Sequence, residues 1–228
     1  SVDGVFSIIA NPKIVPKKNT IINPQRLIQF IQSEPEVAIV TAEVKSNIFY
    51  NIGQTQLPGY ALGIHPEKAN LLYNIESTIV EGSIQKLASN PNAIIIGSGI
   101  ADKMNLRTDD IININSSKGV QRNFRIVGIF KSNNSMIDDT KSFININAAQ
   151  QLLKEGPNYI TDINVNLKDP EQVDVMSKKL SLITGYKAES WKEANETATA
   201  GNKMRKIIIT FVSLTILLVA GFGIYTIL

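Results

Sequence analysis

Asn158 to Glu189 reads NYITDINVNLKDPEQVDVMSKKLSLITGYKAE, and this stretch decides the fold class. Tyr159 to Leu167 alternates, placing Ile163, Val165 and Leu167 on one face, as a half-buried strand requires. Asp169 then offers a helix N-cap, Pro170 suits the first helical position, and Gln172 completes a capping-box pattern. Val173, Met176, Leu180 and Ile183 follow at spacings of three and four, predicting one apolar stripe, and Gly185 is placed to end the helix. Tyr186 to Glu189 resumes as a strand. The unit is β-α-β.

The other end of the chain repeats the plan. Val5 to Asn11 is strand-like, Asn23 and Pro24 start a helix bearing Leu27, Ile28 and Ile31, and Pro35 closes it. Val37 to Tyr50 is a long extended run rich in β-branched residues. Two β-α-β units at the two ends can pair into one open-faced sandwich. The middle is then an insertion, and it reads mostly as strands: Leu57 to Ile64, Ala93 to Ile96, Ile111 to Asn115 and Val120 to Phe130. Ser116 to Gly119 is a tight-turn signal between the last two. Phe143 to Ile146 leads to a helix capped by Asn147 and ended by Gly156-Pro157. The expected fold class is α+β: a porter-like lobe of two β-α-β units, residues 1–52 and 155–190, with a mainly β lobe, 53–154, inserted between them.

Beyond these lies a different composition. From Ile207 to Leu228 there is no Asp, Glu, Lys, Arg or His. At about 1.5 Å per residue a helix over this run spans about 33 Å, enough for a hydrocarbon core of about 30 Å. Residues 207–228 are therefore predicted to be a transmembrane helix and 191–206 its helical connector. Trp191, the single tryptophan, opens that connector as a packing anchor, and Lys203, Arg205 and Lys206 crowd the start of the apolar run. The positive-inside rule would place that end in the cytoplasm, but large domains cross largely regardless of charge. The chain opens at Ser1 without Met or an apolar leader, as expected of a piece of a longer protein.

The inventory argues against an enzyme. With 228 residues, 43% of them hydrophobic, the chain can build a sizeable core. It has no cysteine, so no thiol nucleophile, disulfide or thiolate metal site. His65 is the single histidine, which removes His-pair metal sites and a Ser-His-Asp triad; it reads as a turn residue before Pro66. There is no phosphate loop. Gly97-Ser98-Gly99 follows a strand, but Asp102 stands where a dinucleotide fingerprint needs a small residue, so the reading is a tight turn with Ser98 capping a helix from Ile100 to Met104. Asp109-Asp110 and Asp138-Asp139 lack the ligand density of a calcium loop and read as turn or cap residues. Catalytic, cofactor and metal residues are therefore expected to be none. The formal net charge is +3, with no basic stripe for nucleic acid; attraction to acidic lipid headgroups is its natural consequence.

Several ordered blocks resemble the extracytoplasmic domains of the MacB / LolC-LolE / FtsX-like permease superfamily. Gly59 to Glu67 (GYALGIHPE) is similar to a family strand end written G-I-D-P, with His65 in place of the Asp. Ile94 to Met104 (IIIGSGIADKM) resembles a G-x-x-L-A-x-x-L segment, and Phe124 to Asp138 (FRIVGIFKSNNSMID) is the most specific block. Phe143 to Leu153 (FININAAQQLL) is similar to the family's strand and A-Q-x-L-L helix, and Ser190-Trp191 leads to the membrane run. Asp109 departs from the pattern, standing where the family usually has Gly.

The resemblance implies a first membrane helix, this ectodomain, then further membrane helices, in a bacterial inner-membrane protein. Residues 1 to about 206, with Lys203, Arg205 and Lys206, would then lie on the extracytoplasmic, periplasmic side. It further implies a dimer with a second permease copy or paralogue, a partner or fused ABC ATPase, contact with the lipid bilayer, and a periplasmic chaperone or adaptor protein. The domain would couple ATP hydrolysis mechanically to substrate export or release, with Trp191, Lys203, Arg205 and Lys206 in the coupling connector. The connection from Ser116 to Arg122 is short where the LolC type carries an extended hook, so a LolE-like or MacB-like role is expected. The alternatives are a membrane-anchored sensor and an FtsX-like ectodomain that recruits a cell-wall hydrolase.

Overall fold

A computed structural model of the chain describes residues 5–9 and 20–190, together with Thr210. The first elements are β1 (Val5–Ile9), α1 (Pro24–Gln32) and the 16-residue β2 (Val37–Ile52). The middle holds β3 (Thr55–Ile64), α2 (Pro66–Tyr73), β4 (Ile79–Gly82), α3 (Gln85–Ser89), β5 (Ala93–Gly97) and α4 (Ser98–Met104). It continues with β6 (Ile111–Ser116), β7 (Gln121–Phe130), α5 (Ser135–Asp138), β8 (Lys141–Asn145) and α6 (Ile146–Leu152). The last are β9 (Asp162–Leu167), α7 (Val173–Thr184) and β10 (Lys187–Ser190).

The strands of the two ends share one antiparallel sheet in the order β10-β1-β9-β2. This is the strand order of a split β-α-β sandwich. Local chemistry sets the boundaries of α7. Asp169 accepts a hydrogen bond from the Glu171 backbone N–H at 3.0 Å, and Gln172 Nε2 donates to its other carboxylate oxygen at 3.1 Å. Gly185, at φ 71°, ends the helix in the left-handed conformation that costs other residues most. Val173, Met176 and Leu180 are buried, but Ile183 is 56% exposed. At about 100° per residue Ile183 has drifted to the edge of the stripe, and Thr184 comes back beneath it. In α1, Ile31 is fully buried with Leu27 and Ile28 half-buried against the same core; Asn23 precedes Pro24 in a left-handed conformation and makes no side-chain cap.

β2 belongs to two sheets. Val37 to Glu43 pairs with β9, whereas Val44 to Ile52 pairs with β3 and Ile48 to Asn51 also with β6. From β2 the pairings run β3-β8-β5-β7-β6 and return to β2, with β4 added outside β7, so six strands close on themselves. Alternation sorts their side chains into two clusters. Tyr50, Ile94, Ile96, Ile112, Ile114 and Phe124 join the main core, while Leu62, Ile95, Val127 and Phe143 pack beneath α2 and α3. The pairs β3/β8 and β5/β7 are parallel, and the fold is mixed α/β.

The middle is less purely β than the sequence suggested, since α2 and α3 cover one outer face. The helix after β8 starts two residues earlier than expected: Asn145, not Asn147, is its cap, accepting from the Asn147 N–H at 3.1 Å. Among the described residues no helix is long and apolar enough to cross a membrane. The predicted connector, 191–206, and transmembrane helix, 207–228, with Trp191, Lys203, Arg205 and Lys206, lie outside the described residues.

Tyr50 ties the closed strands together. Its buried hydroxyl donates to Ser142 Oγ at 2.9 Å and lies 3.1 Å from the Thr140 carbonyl, and burial pushes its pKa up. Removing that hydroxyl leaves Ser142, itself fully buried, short of a partner. Tyr50→Phe should cost about 1–2 kcal/mol, read as a lower urea midpoint at unchanged slope. An unchanged midpoint would show that the ring alone supplies the stability.

Candidate functional site

The glycine-rich turn and the second acidic pair meet in space. β5, buried along its whole length, ends at Gly97, and α4 begins directly at Ser98 with Gly97 as its cap residue. Ser98 makes no side-chain cap, contrary to the sequence expectation, because it is already inside the helix. A Cβ on Gly97 would collide with the Asp138 carbonyl, whose carbon would lie 2.7 Å away, and one on Gly99 would collide with the Asp139 carboxylate. α5 therefore lies directly on the turn. Asp138, 5% exposed, accepts from the Ser132 backbone N–H at 2.8 Å and hydroxyl at 2.7 Å, and Asp139 pairs with Lys103 of α4 at 2.8 Å. The space a phosphate would need over this turn is filled by the chain itself. Asp110 is likewise a turn residue, accepting from the Arg107 N–H at 2.8 Å beside Asp109 at φ 72°.

His65 is the exposed residue before α2; burial of its ring and the neighbouring Lys68 lower its pKa. Among the described residues no group of three or more His, Cys, Asp and Glu could hold a metal ion. A cleft of about 420 Å³ opens between α2 and α3, lined by Pro66, Asn70, Leu71, Ile84 and Ala88. Its one charged lining residue is Glu67, so it offers apolar contact rather than acid–base chemistry.

A buried ionisable cluster sits where β2 leaves one sheet for the other. Glu43 is 4% exposed and stands directly across the ladder from Asp162, while the next residue, Val44, is the first to pair with β3. Tyr73 at the end of α2, Lys141 at the start of β8 and Asn164 of β9 complete its surroundings. Burial raises the Glu43 carboxyl to about 7; Lys141 opposes this, as do Tyr73 and Asn164, while Asp162 adds to it. Burial also raises Asp162, although Thr161 donates to its carboxylate at 2.6 Å, and lowers Lys141, whose Nζ lies 4.6 Å above the Phe143 ring. Tyr73 is raised by burial and then by Glu43. Glu43 Oε1, Thr41 Oγ1 and Asn164 Nδ2 find no hydrogen-bond partner among the described residues.

Sequence reasoning passed over Glu43. In VTAEVKS, Thr41, Glu43 and Lys45 alternate with Val40, Ala42 and Val44, a pattern that ordinarily means a solvated face. The only local signal was one carboxylate amid a long β-branched run. What surrounds it comes from α2, β8 and β9, about 30, 100 and 120 residues further on.

Known proteins give this architecture a place. Residues 5–182 match the family described as the MacB-like periplasmic core domain. A curated relative, the lipoprotein-releasing system transmembrane protein LolC of Buchnera aphidicola subsp. Schizaphis graminum, is 32% identical over 161 residues. That match takes in 66% of this chain but only 40% of LolC, so the chain spans well under half of that protein. The periplasmic region of MacB from Actinobacillus actinomycetemcomitans superposes with a TM-score of 0.58 at 10% identity, covering 86% of this chain and 92% of that one. The extracellular domain of the noncanonic ABC-type transporter YknZ from Gram-positive bacteria gives a TM-score of 0.55 at 12% identity, covering 82% and 97%. At these identities the two structures speak for the fold, and the family match spans most of the sequence. The chain belongs to the MacB-like periplasmic core domain family, found in ABC-transporter permeases.

Proposed function

We propose that this chain is the extracytoplasmic domain of an ABC-transporter permease that couples cytoplasmic ATP hydrolysis mechanically to the export or release of a substrate. One observation carries this reading beyond the family. β1 and β10 are antiparallel neighbours in which Phe6 pairs with Ser190, so the chain enters and leaves the domain at adjacent points on one sheet. Val5 and Ser190, the first and last residues of the sheet, therefore lie at the same end of neighbouring strands. That is the geometry of a domain mounted on a pair of membrane segments, and the apolar run 207–228 follows one of them. The domain is non-catalytic in this reading. Its partners are an ABC ATPase subunit or domain, a second permease copy or paralogue, the bilayer and a periplasmic chaperone or adaptor. Lipoprotein release, named in the LolC relative, and MacB-like efflux are the two candidate activities.

Cysteine chemistry offers a direct test, because the chain contains none. A single cysteine at Lys118, on the exposed tight turn between β6 and β7, should react with a membrane-impermeant maleimide in intact spheroplasts carrying the full-length permease. Labelling only after the membrane is permeabilised would place the domain on the cytoplasmic side and sink the proposal.

A further inference from the structure

We infer that the Glu43 carboxyl is a proton-binding site that lets α2 of the inserted lobe stay packed over the shared strand β2 when it holds a proton, and loosens that packing when it ionises. The inference rests on position and satisfaction, and it does not depend on the transport reading. Glu43 is the last residue of β2 paired with β9, and Val44 is the first paired with β3, so its side chain stands at the joint between the two sheets. Groups from both sheets converge on it: Asp162 and Asn164 from β9, Lys141 from β8, Tyr73 from α2.

These surroundings favour the neutral acid. Asp162 lies directly opposite in register, so ionised Glu43 faces a like charge across the ladder. Glu43 Oε1 finds no hydrogen-bond partner among the described residues, a far greater penalty for a buried carboxylate than for an acid. Lys141 supplies the opposing charge without coming within ion-pair distance, and Lys45 spends its own on Asp162 and on the Tyr60 ring, 4.7 Å away. Burial, with Asp162 adding to it, outweighs Lys141, Tyr73 and Asn164 and pushes the carboxyl up from an ordinary 4.5 to about 7. The sign follows. Between those values the folded joint holds a proton that the opened chain has lost, so the joint weakens as pH rises through that window, and above it the loss is complete.

The test is amide hydrogen exchange of the 228-residue chain in detergent, normalised to the intrinsic rate at each pH. Protection of the α2 amides should fall at least ~10-fold between about pH 5 and about pH 9, a midpoint near neutrality marking the proton. Glu43→Gln, a nearly isosteric stand-in for the neutral acid, should hold the high protection at every pH. Asp162→Asn, by removing the like charge, should move the wild-type midpoint to lower pH. Difference infrared spectra should show a protonated-carboxyl band lost over the same range and missing from E43Q. Flat protection in the wild type, an unaltered pH profile in E43Q, or an E43Q protein that is unfolded or poorly protected throughout would each overturn the inference.

Discussion

Gly97→Ala lowers stability by about 3 kcal/mol, at the upper end of what overpacking costs, and brings the melting temperature down by about 6–12 °C. The reason is what the added methyl would meet. At Gly97 all three nearest atoms belong to the Asp138 backbone, with the Cα itself at 2.9 Å. A side-chain neighbour could rotate away, whereas this one can only be relieved by lifting α5 from the turn. Lifting α5 in turn strains the Asp138 carboxylate from its bonds to Ser132 and the Asp139 pairing from Lys103. Conformational preference does not enter, since Gly97 sits at φ −68°, ψ 150°, where alanine is comfortable. Gly156→Ala is the control: nothing lies within 4 Å of the added methyl, and it should leave the melting temperature nearly unchanged. Equal effects of the two substitutions in a thermal melt would show that α5 does not hold the turn.

The same turn shows which features were legible in the sequence. Asp102 excluded a dinucleotide fingerprint from local chemistry alone, and the turn reading followed. That both glycines are required by residues some 40 positions later could not be read, because nothing in IIIGSGIADKM points to Asp138. The end units were legible for the same local reasons: Asp169, Pro170, Gln172 and Gly185 each act within one helical turn. The closure of six strands was not, since it rests on pairings such as Ala61 with Ser142 and Tyr50 with Ile114. α2 does leave a local sign, Pro66 followed by Glu67 in its first turn, directly after the turn residue His65. The short turn from Ser116 was legible locally as well: the Gly119 N–H closes it at 2.9 Å, with Gly119 at φ 73°.

If the proposed transport coupling holds, a flexible insert between Ala198 and Lys203 abolishes substrate export while leaving folding, assembly and basal ATP hydrolysis intact. Ser190 ends β10, hydrogen-bonded beside β1 in the sheet that also holds the first half of β2, so a displacement applied after Ser190 acts on a packed layer rather than on a loose tail. The sequence that follows, WKEANETATAGNKMRK from Trp191 to Lys206, is helix-compatible and reaches the apolar run without a proline. A helix over those residues would be a rod of about 24 Å. Gly201 is its weak point, costing about 1 kcal/mol relative to Ala, too little to break it. A rod transmits torque and push, and several added glycines absorb both by bending. The assay that separates this from sensing is export per ATP hydrolysed by the full-length permease reconstituted with its ATPase, compared between the wild type and the insert. Undiminished export by the insert would rule out mechanical transmission through this segment. Loss of ATP hydrolysis together with export would mean instead that the insert damaged assembly. An alanine insert of equal length separates stiffness from spacing: it lengthens the rod without softening it, so it should retain more export than the glycine insert.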